Sequence, residues 1–398
     1  VNPRLRELQP YPFEKLRALL GPAPPPGAGP TPIDLSVGEP KHPAPDFVCE
    51  TLADSLAQLS AYPATKGTPE LRAAISAWLQ RRFRLDVAPD PEREILPLNG
   101  TREGLFSLAQ CVIDPTPGAL VVMPNPCYQI YEGAALLAGA RPHYLTCEAA
   151  TGFLPDYRSV PAPIWDRCQL LYLCSPGNPT GAVIPLTTLQ YLIELAERHD
   201  FLIASDECYT EIYPDESAPP PGLLQACAAL GRRDFSRCLA FHSLSKRSNL
   251  PGLRSGFVAG DARVMQEFLR YRTYHGCTLP VPHQLASIAA WNDETHVREN
   301  RHQYREKFAA VLEILSDHLE VTMPDAGFYL WPRTPIDDET FARRLYTEQG
   351  VTVVPGRYLA RGAGGDNPGE YRVRIALVAP LAACREAALR VRRLLEQC

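Results

Sequence analysis

The stretch 169–209, QLLYLCSPGNPTGAVIPLTTLQYLIELAERHDFLIASDECY, reads as a short apolar strand, a turn rich in proline and glycine, a helix and a second apolar strand. Two such strands joined by a helical crossover are neighbours in a parallel sheet. Outward from it, ALVVMP, CLAFHSLS and SGFVAG repeat the strand-like pattern, and helical stretches separate them from about residue 43 to residue 290. A mostly parallel sheet covered by helices is therefore expected there. Beyond it come a long amphipathic helix over 296–318, the strand-like FYLWP, a helix around TFARRLYTEQG, the strand VTVVP and a closing helix, CREAALRVRRLLEQ. These predict a second, smaller α/β unit.

The expected organisation is an N-terminal arm and connector over 1–42 that packs with the smaller unit, a large domain over 43–290 and a small domain over 291–398. The segment 21–32, GPAPPPGAGPTP, cannot hold a helix, because prolines remove donors and glycines relax the backbone, so it is the connector. A chain of 398 residues exceeds the size at which one core keeps growing, and its 45% hydrophobic content supports more than one.

The formal charge of −5 comes from interspersed charges, with no basic stripe to follow phosphates, so nucleic acid is not an expected partner. No apolar run approaches the roughly 20 residues that span a bilayer, and no membrane partner is expected. The 12 cysteines are scattered, with no CxxC pair and no metal-ligand spacing. They read as small buried hydrophobes, no metal site is expected, and the absence of a signal-peptide-like start makes the cytoplasm the expected compartment. Asn99-Gly100-Thr101 reads as a chance match to a glycosylation acceptor.

Ligands in open α/β sheets collect at the carboxyl ends of strands, and four strand-like runs here end in polar residues. These are Asn125-Pro126-Cys127-Tyr128, the run 175–181 (SPGNPTG), Asp206-Glu207-Cys208-Tyr209 and His242-Ser243-Leu244-Ser245-Lys246. The stretch 243–256, SLSKRSNLPGLRSG, sets hydroxyls and a second cation around Lys246. Such a cluster suits a phosphate and lowers the amine's pKa, so that it can attack an aldehyde. Asp206 follows four apolar residues, where an unpaired carboxylate is costly and calls for a cationic partner. Gly100-Thr101-Arg102 opens a helical run and so offers free N–H groups to an anion.

With these motifs in view, the chain resembles the class I/II aminotransferases of fold type I, over nearly its whole length. SLSKRSNLPGLRSG, SPGNPTG and DECY (206–209) carry the resemblance. It implies pyridoxal 5'-phosphate as cofactor, amino-acid and 2-oxo-acid substrates, and a homodimer with shared active sites. Lys246 would carry the cofactor as a Schiff base, Asp206 would pair with its pyridine nitrogen, and Asn178 and Tyr209 would hydrogen-bond its phenolic oxygen. The phosphate would fall to the backbone around Gly100-Thr101-Arg102 and to Ser243, Ser245 and Arg254. Tyr128 matches the ring stacked on the pyridine, and Tyr62 matches a tyrosine that reaches the neighbouring subunit's cofactor. Gly38 and Arg374 match the residues that admit the substrate and grip its α-carboxylate.

Within that class, 96–110 (LPLNGTREGLFSLAQ), 242–261, YRTYHGC (271–277), 287–301 and PDAGFYLW (324–331) look most like bacterial N-succinyldiaminopimelate aminotransferases. That resemblance implies glutamate as donor and N-succinyl-2-amino-6-oxopimelate as acceptor. Two distal carboxylates would then need further cations, for which Arg102, Arg272 and Lys66 are candidates. Aminotransferases for aspartate, alanine or aromatic amino acids, and PLP carbon–sulfur lyases, would share the cofactor residues. A PLP-fold transcription regulator would carry a DNA-binding module, for which the stretch of about thirty residues up to the connector is too short.

Overall fold

The computed structural model describes residues 1–22, 30–276, 278–362 and 366–397. Most of the proline-rich connector, and Cys277 and Cys398, lie outside these.

Seven strands form the principal sheet. In spatial order they are Ile95–Leu98, Gly256–Gly260, Cys238–Ser243, Leu202–Asp206, Cys168–Cys174, Leu120–Asn125 and Arg141–Thr146. Gly256–Gly260 runs antiparallel to both its neighbours and the other pairs are parallel. The sheet is mostly parallel, as the alternation of strands and helices predicted.

The near-continuous apolar runs exist because helices cover both faces of the sheet. Along the strand Cys168–Cys174, Leu171 and Leu173 enter one core and Leu170 and Tyr172 the other. The helix Leu186–His199 seals the first face with Leu189, Leu192 and Ile193, and the helix Thr101–Val112 seals the second with Leu105 and Leu108. Their spacing is that of one helical stripe.

A third core gathers beyond the sheet. It packs Phe308, Val311 and Leu315 of the helix Thr295–Leu315 and Val391 and Leu394 of the helix Leu381–Leu395 against Val373 and Ile375. Val373–Ala376 is the central strand of a three-stranded antiparallel sheet, between Val354–Pro355 and Tyr329–Leu330. The N-terminal arm reaches this region twice. Ile33–Asp34 pairs in parallel with Val351–Thr352, and Leu16 packs with Trp331, Val354 and Leu359.

Among the described residues the cysteines are free thiols, all buried except exposed Cys49 and half-buried Cys111. No described helix is long and apolar enough to cross a membrane.

Candidate active site

The carboxyl ends of the parallel strands open into a cavity of about 780 Å³, lined by residues of all four polar strand tips. The floor follows from topology. Strands running the same way must all turn at the same edge, so Tyr128, Asn178, Asp206 and Lys246, far apart in sequence, meet there.

One end of the cavity is built for an anion. Gly100, at φ +82°, precedes the helix Thr101–Val112, whose first N–H groups have no partner within the helix. A Cβ at Gly100 would lie 2.3 Å from the Arg254 guanidinium, so only glycine lets that cation close on the helix start. Ser243 Oγ accepts from Ser245 N at 3.0 Å and lies 3.0 Å from Ser245 Oγ. Arg254 donates to Pro251 O at 2.9 Å and has no acidic partner among the described residues. Hydroxyls, helix N–H groups and an uncompensated guanidinium together fit a phosphate.

Deeper in, Asp206 is 5% exposed. Its Oδ2 accepts from Tyr131 Oη at 2.7 Å and its Oδ1 from Cys208 N at 3.3 Å, and it forms no ion pair among the described residues. Burial holds its carboxyl above the usual carboxylate range. A buried acid lacking a cation fits the protonated pyridine nitrogen of pyridoxal phosphate.

Lys246 Nζ donates to Gly38 O and sits 5.5 Å from the Phe328 ring centre. Its pKa is lowered to about 8, by burial first and then by Arg374 and Arg102, against opposing effects of Cys208 and Glu39. The adjacent Arg247 does not supply the second cation. It points away, 5.0 Å from the Trp291 ring centre, and bonds Ala290 O, Asp293 O and Glu294.

At the other end, Arg374 is 4% exposed and donates to Asn178 Oδ1 at 3.0 Å and Ser36 O at 2.6 Å. Its Nε has no partner and no carboxylate faces it among the described residues. Tyr209 Oη lies 2.9 Å from Tyr329 Oη, and the Tyr329 ring stacks 4.6 Å from the Arg374 guanidinium. A Cβ at Gly38 would strike Tyr329 Oη at 1.9 Å, so glycine is required for this approach.

The structure does not bring every expected residue into the cavity. Tyr62 is fully exposed, just after the exposed Leu56 and Leu59, and lies outside the cavity of its own chain. Arg272 does not line the cavity. It sits in the helix Ala262–His275, 2% exposed, with its guanidinium on Glu103 at 2.8 Å. Lys66 pairs with Glu92 at 2.8 Å, away from the cavity. Of the three distal candidates only Arg102 lines the wall, where its Nε donates to Tyr128 Oη at 2.5 Å. No acid pairs with Arg102 among the described residues.

Several residues in or behind the cavity escaped the sequence reading. Tyr11, Pro12 and Phe13 bring the N-terminal arm to the cavity mouth, and Tyr131 and Tyr329 hold Asp206 and Tyr209. For Tyr131 and Tyr329 a faint signal existed, since a buried phenol needs a polar partner. The arm residues gave none.

The comparisons with known proteins agree with this arrangement. The family described as "Aminotransferase class I and II" matches residues 30–391. A curated relative, the LL-diaminopimelate aminotransferase of Desulforudis audaxviator, is 34% identical over 384 residues, 95% of this chain and 94% of its own. A crystal structure of an aminotransferase from Neisseria meningitidis superposes with a TM-score of 0.94 at 48% identity, covering 99% of this chain and 100% of that one. A probable N-succinyldiaminopimelate aminotransferase from Thermus thermophilus superposes with a TM-score of 0.86 at 30% identity, covering 96% and 99%.

Proposed function

The chain belongs to the class I and II aminotransferases, PLP-dependent transaminases, and from that premise we propose that its cavity moves an amino group from glutamate to N-succinyl-2-amino-6-oxopimelate, or the reverse. The observation that carries the site assignment is the pairing of two uncompensated buried charges, Asp206 and Arg374, around one lysine of lowered pKa.

Bound here, pyridoxal phosphate supplies an aldehyde for amines and a ring that draws electrons from the substrate's α-carbon. The backbone around Gly100-Thr101-Arg102, with Ser243, Ser245 and Arg254, would hold its phosphate, and Asp206 would keep its ring nitrogen protonated. Asn178 and Tyr209 would donate to its phenolic oxygen, and Tyr128 would stack on its ring. Lys246 would hold the aldehyde through its Nζ, and the same amine, when free, would serve as the base that moves the proton of the substrate's α-carbon. A pKa near 8 keeps a useful fraction of that amine neutral. Arg374 grips the α-carboxylate beside Gly38, and its stacking on Tyr329 fixes the plane of the guanidinium. Two half-reactions sharing one site give ping-pong kinetics.

The succinylated substrate is supported by Arg102, an exposed guanidinium without an acid partner on the wall, and by the apolar and aromatic arm residues that face it. The name of the curated relatives favours a second reading, LL-diaminopimelate itself, whose distal end carries an ammonium group. Glu39 in the cavity lining would suit that group. Supplying the holoenzyme with 2-oxoglutarate and either amine, and following glutamate, separates the two. Turnover of the succinylated amine alone supports the first reading, and turnover of LL-diaminopimelate alone overturns it. A homodimer follows from the same reading, with Tyr62 entering the partner's site. A fully active monomer in sedimentation would contradict it.

A further inference from the structure

We infer that Asn300 is a positioning residue for Lys246, and that His42 holds it to that task. This rests on the reading of Lys246 as the cofactor-bearing amine. Lys246 lies in the single turn Leu244–Arg247, and so short a helix leaves its last carbonyls without partners of their own. Asn300, 1% exposed on the helix Thr295–Leu315, supplies them. Its Nδ2 donates to Lys246 O at 3.2 Å and to Arg247 O at 3.3 Å.

With Nδ2 committed to two carbonyls, Oδ1 must face the other way, and His42 Nδ1 lies 2.7 Å from it. An amide oxygen only accepts, so His42 Nδ1 carries the proton. His42 Nε2 is buried with no partner, which leaves the ring no competing hydrogen bond to turn toward. The ring is fixed further by Tyr304, 4.6 Å away between centres.

His42 belongs to the same short stretch as Gly38, whose carbonyl accepts from Lys246 Nζ. The segment 38–42 therefore grips Lys246 at both ends, its amine directly and its main chain through His42 and Asn300. The amine must exchange partners during each turnover, whereas the main-chain contact need not. Asn300 thus fixes the point from which the lysine stem swings, and an error of about 1 Å in such a point costs about 10²-fold in rate.

The test uses the holoenzyme and reads kcat, KM and the pH midpoint of the bound cofactor's visible band. Asn300→Leu is expected to lower kcat about tenfold or more while KM stays within about twofold, and to shift the midpoint by about half a unit or more. His42→Phe, which keeps a ring against Tyr304 but has no donor, should move the same readouts in the same direction. His42→Asn, whose amide can take the Nδ1 position, should restore them.

Lower thermal stability with kcat and midpoint unchanged in these variants would reduce Asn300 to a structural anchor and overturn the inference. So would His42→Asn performing no better than His42→Phe, a comparison that decides alone if Asn300→Leu does not fold. A visible band that persists in Lys246→Ala would remove the premise, and the inference with it, through a different variant.

Discussion

The cavity holds a half-buried lysine and a buried arginine, the packing away from it a buried lysine and a buried arginine, and the two regions treat them differently. Lys246 and Lys307 both have a pKa lowered to about 8, chiefly by burial. Lys307 reaches a single backbone carbonyl, Val378 O at 3.3 Å, beside the Tyr304 ring, and lines no part of the cavity. Arg247 is bracketed by Trp78 and Trp291 and has an acid, Glu294, at 2.6 Å. Arg374 has two neutral acceptors and no acid. A depressed pKa or a buried charge therefore does not by itself mark a functional group. What distinguishes the cavity pair is that both side chains line an open cavity, where something outside the chain can reach them.

The largest effect that tests this contrast lies between the lysines. Lys246→Ala should lower kcat by about 10⁴-fold or more, whereas Lys307→Met should stay within about threefold, in a steady-state transaminase assay. Comparable losses in both would erase the distinction. The arginines come next. Arg374→Leu should lower kcat/KM by about 10² to 10³, mostly through KM, because the substrate loses a charge-assisted bidentate contact. Arg247→Leu should leave KM near wild type and destabilise the protein by about 2–4 kcal/mol, since it strips partners from two carbonyls and Glu294. Denaturant unfolding of both apoproteins reads this. A larger stability loss in Arg374→Leu would invert the comparison.

The same contrast explains what could be read from the sequence. The sheet was legible because strands buried on both faces are nearly all apolar, as in LLYLC and FLIAS, and because their polar tips must share one edge. Lys246, Asp206, Asn178 and Ser243 followed from those tips. What failed was the direction of side chains on helices. Arg272 was a candidate for a distal carboxylate, but the helix Ala262–His275 turns it inward onto Glu103. Arg247, next to the lysine in sequence, points to the opposite side of its turn. The arm residues Tyr11 and Phe13 reach the cavity by a long-range path that no local pattern encodes.

A pH measurement reads each lysine again, with a smaller effect. Each is charged in the unfolded chain up to about its ordinary value of 10.5 and in the folded chain only up to about 8. Between these values the unfolded state binds more protons, so each lysine makes the apoprotein more stable as pH rises from about 8 to 10.5. Below about 8 both states are protonated and the dependence disappears. Denaturant midpoints of the apoprotein should therefore rise with pH over this range, and Lys246→Met and Lys307→Met should each reduce the slope by one lysine's share. An unchanged slope in Lys246→Met would mean that Lys246 does not titrate as an uncompensated amine.

The smallest expected effect concerns Arg102, which is exposed and free to hydrate. Among the described residues its side chain bonds the Tyr128 hydroxyl alone, and its guanidinium lies 5.7 Å from that ring's centre. A distal carboxylate would meet a cation already oriented by the phenol, so the contact needs little ordering but competes with water. Arg102→Ala should raise KM for the succinylated substrate about tenfold and change the glutamate half-reaction less than about twofold. An equal change in both half-reactions would place Arg102 with the cofactor rather than with the far end of the substrate. No change in either would leave the cavity's charge balance to Arg374 and Arg254.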